Sequence, residues 1–286
     1  MNLWVVLPTY NEAENLAPIV DMLLALEIAA PPQLRPAPAA PGSWRAIAPH
    51  QPVGGDHEED GSADLAIHTR WIEPFIVDGP ARISVLIVDD NSPDGTGLIA
   101  DELARAYPDQ VHVLHRPAKL GLGSAYLEGF AFVLDHGADV VVQMDADFSH
   151  SPAYLPPMIG MLRDYDVVVG SRWVPGGRLD EQWERWRYLL SRYANLYARW
   201  MTGLHVRDTT AGFKVFRAQA LRQLPLGRIR SGGYAFQIEV AVACQRLGLR
   251  VAELPIYFEE RVRGRSKMSW AIILEAVWRL WQIRFG

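Results

Sequence analysis

Cysteine is almost missing from this chain: Cys244 is the only one in 286 residues. That excludes an internal disulfide framework and any zinc site built on paired cysteines. Long apolar runs are missing too, since no stretch approaches the ~20 uninterrupted apolar residues that span a bilayer. The apolar Met1–Leu7 reaches Pro8, Asn11 and Glu12 too soon to read as a secretory signal, and no basic segment precedes it. The expectation is a chain that starts at Met1, works in a reducing cytosol and meets a membrane only from outside. Positive charge is not in excess: 28 Lys and Arg against 33 Asp and Glu leave −5, which argues against a broad nucleic-acid binder. Common signatures are absent as well. Gly121-Leu122-Gly123-Ser124-Ala125-Tyr126 puts Tyr126 where a dinucleotide fingerprint needs its third glycine, and no GxxxxGK loop, GxSxG elbow or HExxH pair occurs.

What is present is ordinary globular material, with 49% hydrophobic and 21% charged residues, enough for one domain with a sizeable core. The apolar run Leu3–Leu7 predicts a buried strand, and Asn11 can cap a helix carrying Leu16, Ile19, Val20, Leu23 and Leu24 on one face. Residues 29–53 then hold Pro31, Pro32, Pro36, Pro38, Pro41, Pro49 and Pro52 among alanines, and Asp56, Glu58, Glu59, Asp60 and Asp64 follow. Such a stretch cannot bury enough apolar surface to offset its ordering entropy. Residues 29–82 therefore read as a flexible insertion in a single domain spanning 1–286, with Trp71–Val77 an extra short strand.

From Ile83 onward strands and helices alternate. Strands are expected at Ser84–Val88, Val111–Leu114, Val140–Met144 and Val167–Gly170, and helices at Gly97–Tyr107, Gly123–His136 and Pro156–Arg163. This is the α/β pattern of a mainly parallel sheet covered on both faces, in which ligands bind at the carboxyl ends of the strands. Polar clusters fall at those ends: Tyr10 with Glu12, Asp89 with Asp90, Asp145 with Asp147, and Arg172. The second half adds a long helix at Trp183–Met201, a turn at Asp208–Phe213, a helix at Gly233–Leu247, a strand at Val251–Phe258, a basic loop at Glu259–Lys267 and a final amphipathic helix within 269–286.

Asp145-Ala146-Asp147 after an apolar strand can hold a hard divalent cation, Mg²⁺ or Mn²⁺, which also binds substrate phosphates. The same spacing occurs in solvated turns. For Asp89-Asp90 two readings stand, hydrogen bonds to a base or ribose and capping of the helix that begins near Asp94-Gly95-Thr96. His150 reads equally as a turn residue or a support for the acidic pair, and Cys244 as a core residue.

Taken in order, Pro8-Thr9-Tyr10-Asn11-Glu12-Ala13-Glu14-Asn15-Leu16, Val88-Asp89-Asp90-Asn91-Ser92-Pro93-Asp94-Gly95-Thr96, Met144-Asp145-Ala146-Asp147 and Gly170-Ser171-Arg172 resemble the family-two inverting glycosyltransferases of the GT-A fold. Ser149-His150-Ser151-Pro152, Val174-Pro175-Gly176-Gly177 and Arg263-Gly264-Arg265-Ser266-Lys267 narrow the resemblance to polyprenol (dolichol) phosphate mannose synthases. The likeness covers 1–27 and 83–286; the long gap between the first helix and Ile83 departs from the compact family pattern, and the insertion is expected to sit away from the site. The resemblance implies transfer of mannose from GDP-mannose to a polyprenyl phosphate on the cytosolic face of a membrane. Pro8, Tyr10 and Glu12 would lie around the guanine nucleotide, and Val88 and Asp90 would help hold its base and ribose. Asp145 and Asp147 would flank the Mg²⁺ or Mn²⁺, with Asp147 the more direct ligand and Ala146 close to the nucleotide. Ser149 occupies a position that is glutamine in some relatives. Arg172, Arg187, Arg261 and Lys267 would meet phosphates of donor or acceptor.

Elementary chemistry is consistent with that set. A phosphate nucleophile is already anionic near neutral pH and needs no strong base; the site must instead hold two anionic groups together. A cation and bidentate guanidinium groups do this. The loop bearing Arg261, Arg263, Arg265 and Lys267 reads either as a closing phosphate clamp or as an exposed basic surface. The long helix and the final helix interleave Trp and Tyr with Arg, which suits either core packing or a lipid interface. Two other functions remain open on the sequence: a synthase using UDP-glucose or another sugar nucleotide, and a non-catalytic sugar-nucleotide-binding subunit. Whether a separate membrane-protein partner is needed is also open.

Overall fold

The computed structural model describes residues 1–28, 45–46, 81–181, 183–259, 280–282 and 284. Strand β1 (Asn2–Thr9) and helix α1 (Ala13–Leu24) come first, followed by a two-residue strand β2 (Arg45–Ala46). Then come β3 (Arg82–Asp89), α2 (Thr96–Ala106), β4 (Val111–His115), α3 (Leu122–Asp135), β5 (Val140–Gln143), α4 (Leu155–Met161) and β6 (Val167–Ser171). The second half contains β7 (Arg178–Leu179), α5 (Arg185–Thr202), β8 (Lys214–Arg217), α6 (Ala218–Gln223), α7 (Gly233–Arg246), β9 (Val251–Pro255) and β10 (Tyr257–Phe258).

The main sheet runs β2-β9-β6-β8-β5-β1-β3-β4, and β8 alone is antiparallel to its neighbours. Alternation along each strand fills two cores, because successive side chains point to opposite faces. Leu3, Val5 and Leu7 of β1 join Val85, Ile87, Val140 and Val142 beneath α1, α2 and α4. Trp4 and Val6 join Leu86, Val88 and Val141 on the other face, against Tyr126, Phe130 and Phe236. There α3 approaches so closely that a Cβ on Gly129 would stand 2.5 Å from Val6 Cγ1. Cys244 is buried in this second core, and burial pushes its thiol up to about 12.

The structure departs from the sequence expectations in several elements. Strand β8 and helix α6 are additional; β8 carries two buried charges, Lys214 and Arg217, which hide its apolar pattern. The single strand expected over Val251–Phe258 is two. Pro255 has no N–H, the chain turns at Ile256, and β10 leaves the main sheet to pair with β7. Trp183 precedes α5 rather than lying in it. Asn11 does not cap α1: its backbone is left-handed, and Asp94 of the neighbouring loop accepts the Ala13 N–H at 3.2 Å instead.

The ends of the long insertion meet. Ala81 N–H donates to the Ile28 carbonyl at 2.9 Å and Arg82 N–H to the Met1 carbonyl at 3.1 Å. Its stem therefore lies at the amino-terminal edge of β1 and β3, opposite the edge where the polar clusters gather. The Trp71–Val77 strand expectation lies outside the described residues; within the insertion, Arg45–Ala46 pairs in parallel with Ala252 and Glu253.

Candidate active site

Among the described residues three that are not glycine adopt left-handed backbone, Asn11, Asn91 and Phe148. All three follow carboxyl ends of strands, β1, β3 and β5. Such conformations persist where surrounding contacts over-determine them, and here the loops are stitched together. Asp94 accepts from Thr96 N–H at 3.0 Å and from Ala13 N–H at 3.2 Å, so one carboxylate caps both α2 and α1. Burial works against its charge, but the hydrogen bonds from the Thr96 hydroxyl and these backbone groups prevail and hold the carboxyl below its ordinary value. Glu12 N–H donates to Thr96 Oγ1 at 2.9 Å, and Asn15 to the Glu12 carboxylate at 2.8 Å.

Neither Asp89 nor Asp90 caps α2. Asp89 accepts from Ser92 Oγ at 2.6 Å and Thr9 Oγ1 at 3.3 Å. Asp90 is buried against the Arg116 guanidinium and accepts the Gly121 N–H at 2.9 Å. Arg116, which the sequence reading passed over, also donates to Ser124 at 2.7 Å and Glu128 at 3.1 Å. Lys119 stands 3.8 Å over the Tyr10 ring. Pro8 pairs with Val88 across the sheet, and the Val88 side chain is fully buried in the core.

At the end of β5 the two carboxylates differ. Asp145 keeps 26% of its side chain exposed and accepts from Tyr126 OH at 2.8 Å. Asp147 is buried and accepts the Ser149 N–H at 3.1 Å; Ala146 between them is buried too. The buried Ser149 hydroxyl has no hydrogen-bond partner among the described residues. His150 accepts the Asp145 N–H through Nδ1 at 3.3 Å and stacks on Phe213. Burial lowers its pKa against the pull of Asp145 and Asp147, so the ring is neutral at neutral pH. Among the described residues no three His, Cys, Asp or Glu side chains are arranged to hold a metal. The donor set thus offers two hard carboxylates and an unpartnered hydroxyl rather than a closed protein cage. That fits Mg²⁺ or Mn²⁺, which keep water or phosphate oxygens among their ligands.

Arg172 follows β6. Its Nε and Nη2 donate to Asp208 at 2.7 Å each, and Nη2 donates also to Thr210 at 2.9 Å. Burial alone would lower the guanidinium pKa; the Asp208 carboxylate reverses this and raises it. Phe258 links this pair to the acidic turn. Its ring centroid is 5.0 Å from Arg172 Cζ, 5.5 Å from the His150 ring and 5.9 Å from Trp183. Beyond it opens a cleft of about 750 Å³ between the β6–β7 segment and α5, lined by Arg172, Trp173, Arg178, Trp183, Tyr188 and Arg192 among others. Arg187 meets this cleft through Trp183, over whose ring it lies at 4.8 Å. Asp208 and Arg178 were not singled out by sequence reading, and Arg192 was read only as one of the arginines interleaved with aromatics on the long helix. Arg261, Arg263, Arg265 and Lys267 lie outside the described residues.

Helix α5 turns its apolar stripe outward. Trp186, Leu189, Tyr193, Leu196 and Trp200 recur at intervals of three and four residues, and Trp200 is 76% exposed. Ala198, on the opposite side, packs with Ile238 and Leu280. Of the aromatics interleaved with arginine on this helix, Trp186, Tyr193 and Trp200 are exposed, while Tyr197 packs against the Ala198 cluster. Among the described residues no helix is long and apolar enough to cross a membrane.

Comparison with known proteins shows the family. Residues 70–224 match the model of glycosyl transferase family 2. The chain belongs to that family. It is 48% identical to the undecaprenyl-phosphate mannosyltransferase of Micrococcus luteus over 200 residues, covering 70% of this chain and 82% of the relative. It is 45% identical to the polyprenol monophosphomannose synthase of Mycolicibacterium smegmatis over 206 residues, 71% of this chain and 77% of that one. Among solved structures, glucosyl-3-phosphoglycerate synthase from Mycobacterium tuberculosis, in complex with Mn²⁺, UDP and glucosyl-3-phosphoglycerate, superposes with a TM-score of 0.55 at 18% identity, covering 98% of this chain and 80% of that one. This family-2 chain thus has the GT-A fold, with its acidic turn, Arg172 and the cleft on one rim of the sheet.

Proposed function

We propose that this glycosyltransferase moves mannose from GDP-mannose to a polyprenyl phosphate with inversion at the anomeric carbon. What supports this most is one feature: the acidic turn at Asp145–Asp147 and an arginine-and-aromatic cleft share one rim, joined through Phe258. One end of such a rim suits a nucleoside diphosphate and the other a lipid phosphate. The names of the relatives point the same way.

In this reading Pro8, Tyr10, Glu12, Asp90 and Ala146 surround the nucleotide, with Arg116 holding Asp90 in place and Lys119 beside Tyr10; the side chain of Val88, expected among them, lies in the core behind the site and does not meet the nucleotide. Asp145 and Asp147, with Ser149 nearby, would hold Mg²⁺ or Mn²⁺, which when bound offsets the charge of the departing diphosphate. Arg172, Arg187, Arg261 and Lys267 meet phosphates; Arg178 and Arg192 extend that set into the cleft. An oxygen of the acceptor phosphate attacks the anomeric carbon, the bond from that carbon to the diphosphate oxygen breaks, and GDP leaves with the electron pair. No proton need be removed from the nucleophile, which suits a rim whose one buried histidine is neutral and engaged by a backbone N–H. The single in-line displacement turns an α-linked donor into a β-linked product.

In this reading the enzyme sits peripherally on the cytosolic face of a membrane; the outward stripe of α5, with Arg192 and Arg199 on the same helix, supports the membrane contact, since rings sit at headgroup level and cations meet lipid phosphates. The test is a panel of radiolabelled sugar nucleotides supplied to vesicles containing polyprenyl phosphate, followed by lipid extraction. Label from GDP-mannose alone is expected in the lipid; label from UDP-glucose instead would overturn the donor assignment.

A further inference from the structure

Beneath the rim, on the α7 side of the sheet, lies a buried cation for which no carboxylate partner is found among the described residues. Lys214, the first residue of β8, directs its ammonium to the Ala211 carbonyl and to Gln237 Oε1. Gln143 faces Lys214 across the β5–β8 ladder. Its amide donates to the Gly212 carbonyl at 2.9 Å and to the same Gln237 oxygen at 2.7 Å. Two successive carbonyls of the 208–213 turn are thus gripped from below by side chains that meet on one glutamine.

From above, the same turn serves both halves of the site. Its Asp208 and Thr210 bind the Arg172 guanidinium. Its Gly212 lies against the acidic pair, where an added Cβ would stand 3.2 Å from Asp145 Oδ2 and 3.1 Å from His150. Displacing the turn displaces Asp145, His150 and Arg172 relative to one another.

We propose that Lys214, Gln237 and Gln143 are positioning residues, a clamp that fixes the 208–213 turn and so sets the spacing between Asp145 and Arg172. The proposal rests on reading Asp145 and Asp147 as the cation site. A stabilising core has little reason to contain this group. A buried charge costs several kcal/mol to desolvate and a packed apolar side chain would do as well, and the Gln143 Oε1 atom is left without a hydrogen-bond partner among the described residues. Burial also lowers the Lys214 pKa to about 8, against the pull of nearby Cys244, Asp208 and Asp145, so the amine is held at a cost to folding while serving the turn.

The experiment uses the full chain and two variants, Lys214→Met and Gln237→Leu, with Lys214→Arg as the conservative change. Mn²⁺ binding is read from loss of the free-ion EPR signal, transfer from kcat and the KM for each substrate, and folding from thermal melting. Misplacement of reacting groups by about 1 Å costs up to ~100-fold. Lys214→Met is accordingly expected to melt cooperatively, to bind Mn²⁺ at least ~10-fold more weakly and to lose at least ~10-fold in kcat, with the acceptor KM little changed, and Lys214→Arg to recover part of both. If Lys214→Met does not fold, Gln237→Leu decides on the same readouts. Wild-type Mn²⁺ binding and kcat in a folded variant overturn the clamp alone. A wild-type protein that binds no Mn²⁺ overturns the clamp together with the reading of the acidic pair.

Discussion

Arg172 is buried, yet its charge is matched before any substrate arrives, because Asp208 takes both Nε and Nη2 at 2.7 Å. Removing one partner of such a pair leaves the other uncompensated, at ~3–5 kcal/mol. Asp208→Asn should therefore lower unfolding free energy by about that amount, measured by urea denaturation, and should disturb catalysis as well as folding. Lys214 gives a pH signature. Its pKa is about 8 folded against 10.5 for the free side chain, so between those values the unfolded chain binds more protons and stability rises with pH. Comparing wild type with Lys214→Met from pH 7 to 11 should show the wild-type curve gaining on the variant across that window, by roughly 3 kcal/mol at most. A constant difference would argue against a buried ammonium. These partnerships were not legible in the sequence. Arg172 and Asp208 are 36 positions apart and Gln143 and Gln237 are 94 apart, and nothing local marks one as the other's partner.

At the scale of elements, legibility followed the apolar runs. Strands β1, β3, β5 and β6 are dominated by Val, Ile and Leu and run into polar groups at their carboxyl ends, so both their existence and the edge they share could be read directly. Strand β8 could not, because Lys214 and Arg217 break its pattern and are satisfied only in the fold, Arg217 by the Leu162 carbonyl. Helix caps were misassigned for a related reason. The cap of α1 comes from Asp94, a residue of another loop. Asp94→Ala should remove caps from α1 and α2 together, lowering stability by about 1–4 kcal/mol by thermal melting, each cap being worth ~0.5–2 kcal/mol. Helix α5 had the right composition for a lipid surface, but its sequence left the facing of the aromatic stripe open. Replacing Trp186, Tyr193 and Trp200 together by Gln should leave melting unchanged, since all three are exposed, and should abolish sedimentation with anionic vesicles. Retained binding would move the membrane contact elsewhere on the molecule.

At the scale of the whole molecule, the acidic turn and the stem of the insertion lie at opposite ends of the strands. The residues that bound the insertion, Ile28 and Ala81, are joined by a hydrogen bond of 2.9 Å, far along the strands from Asp145. A short Gly-Ser bridge in place of 29–80 is expected to leave transfer activity intact while removing the β2–β9 pairing. At the other end, the account requires that negative charge on the donor be balanced at the Asp145–Asp147 turn. Product formation by Asp147→Asn, assayed with GDP-mannose, polyprenyl phosphate vesicles and Mn²⁺, tests that most directly. The expected result is a folded protein whose lipid-linked product falls by at least ~100-fold, as for loss of a group that stabilises transition-state charge. Turnover at the wild-type rate with Mn²⁺ still bound would contradict it.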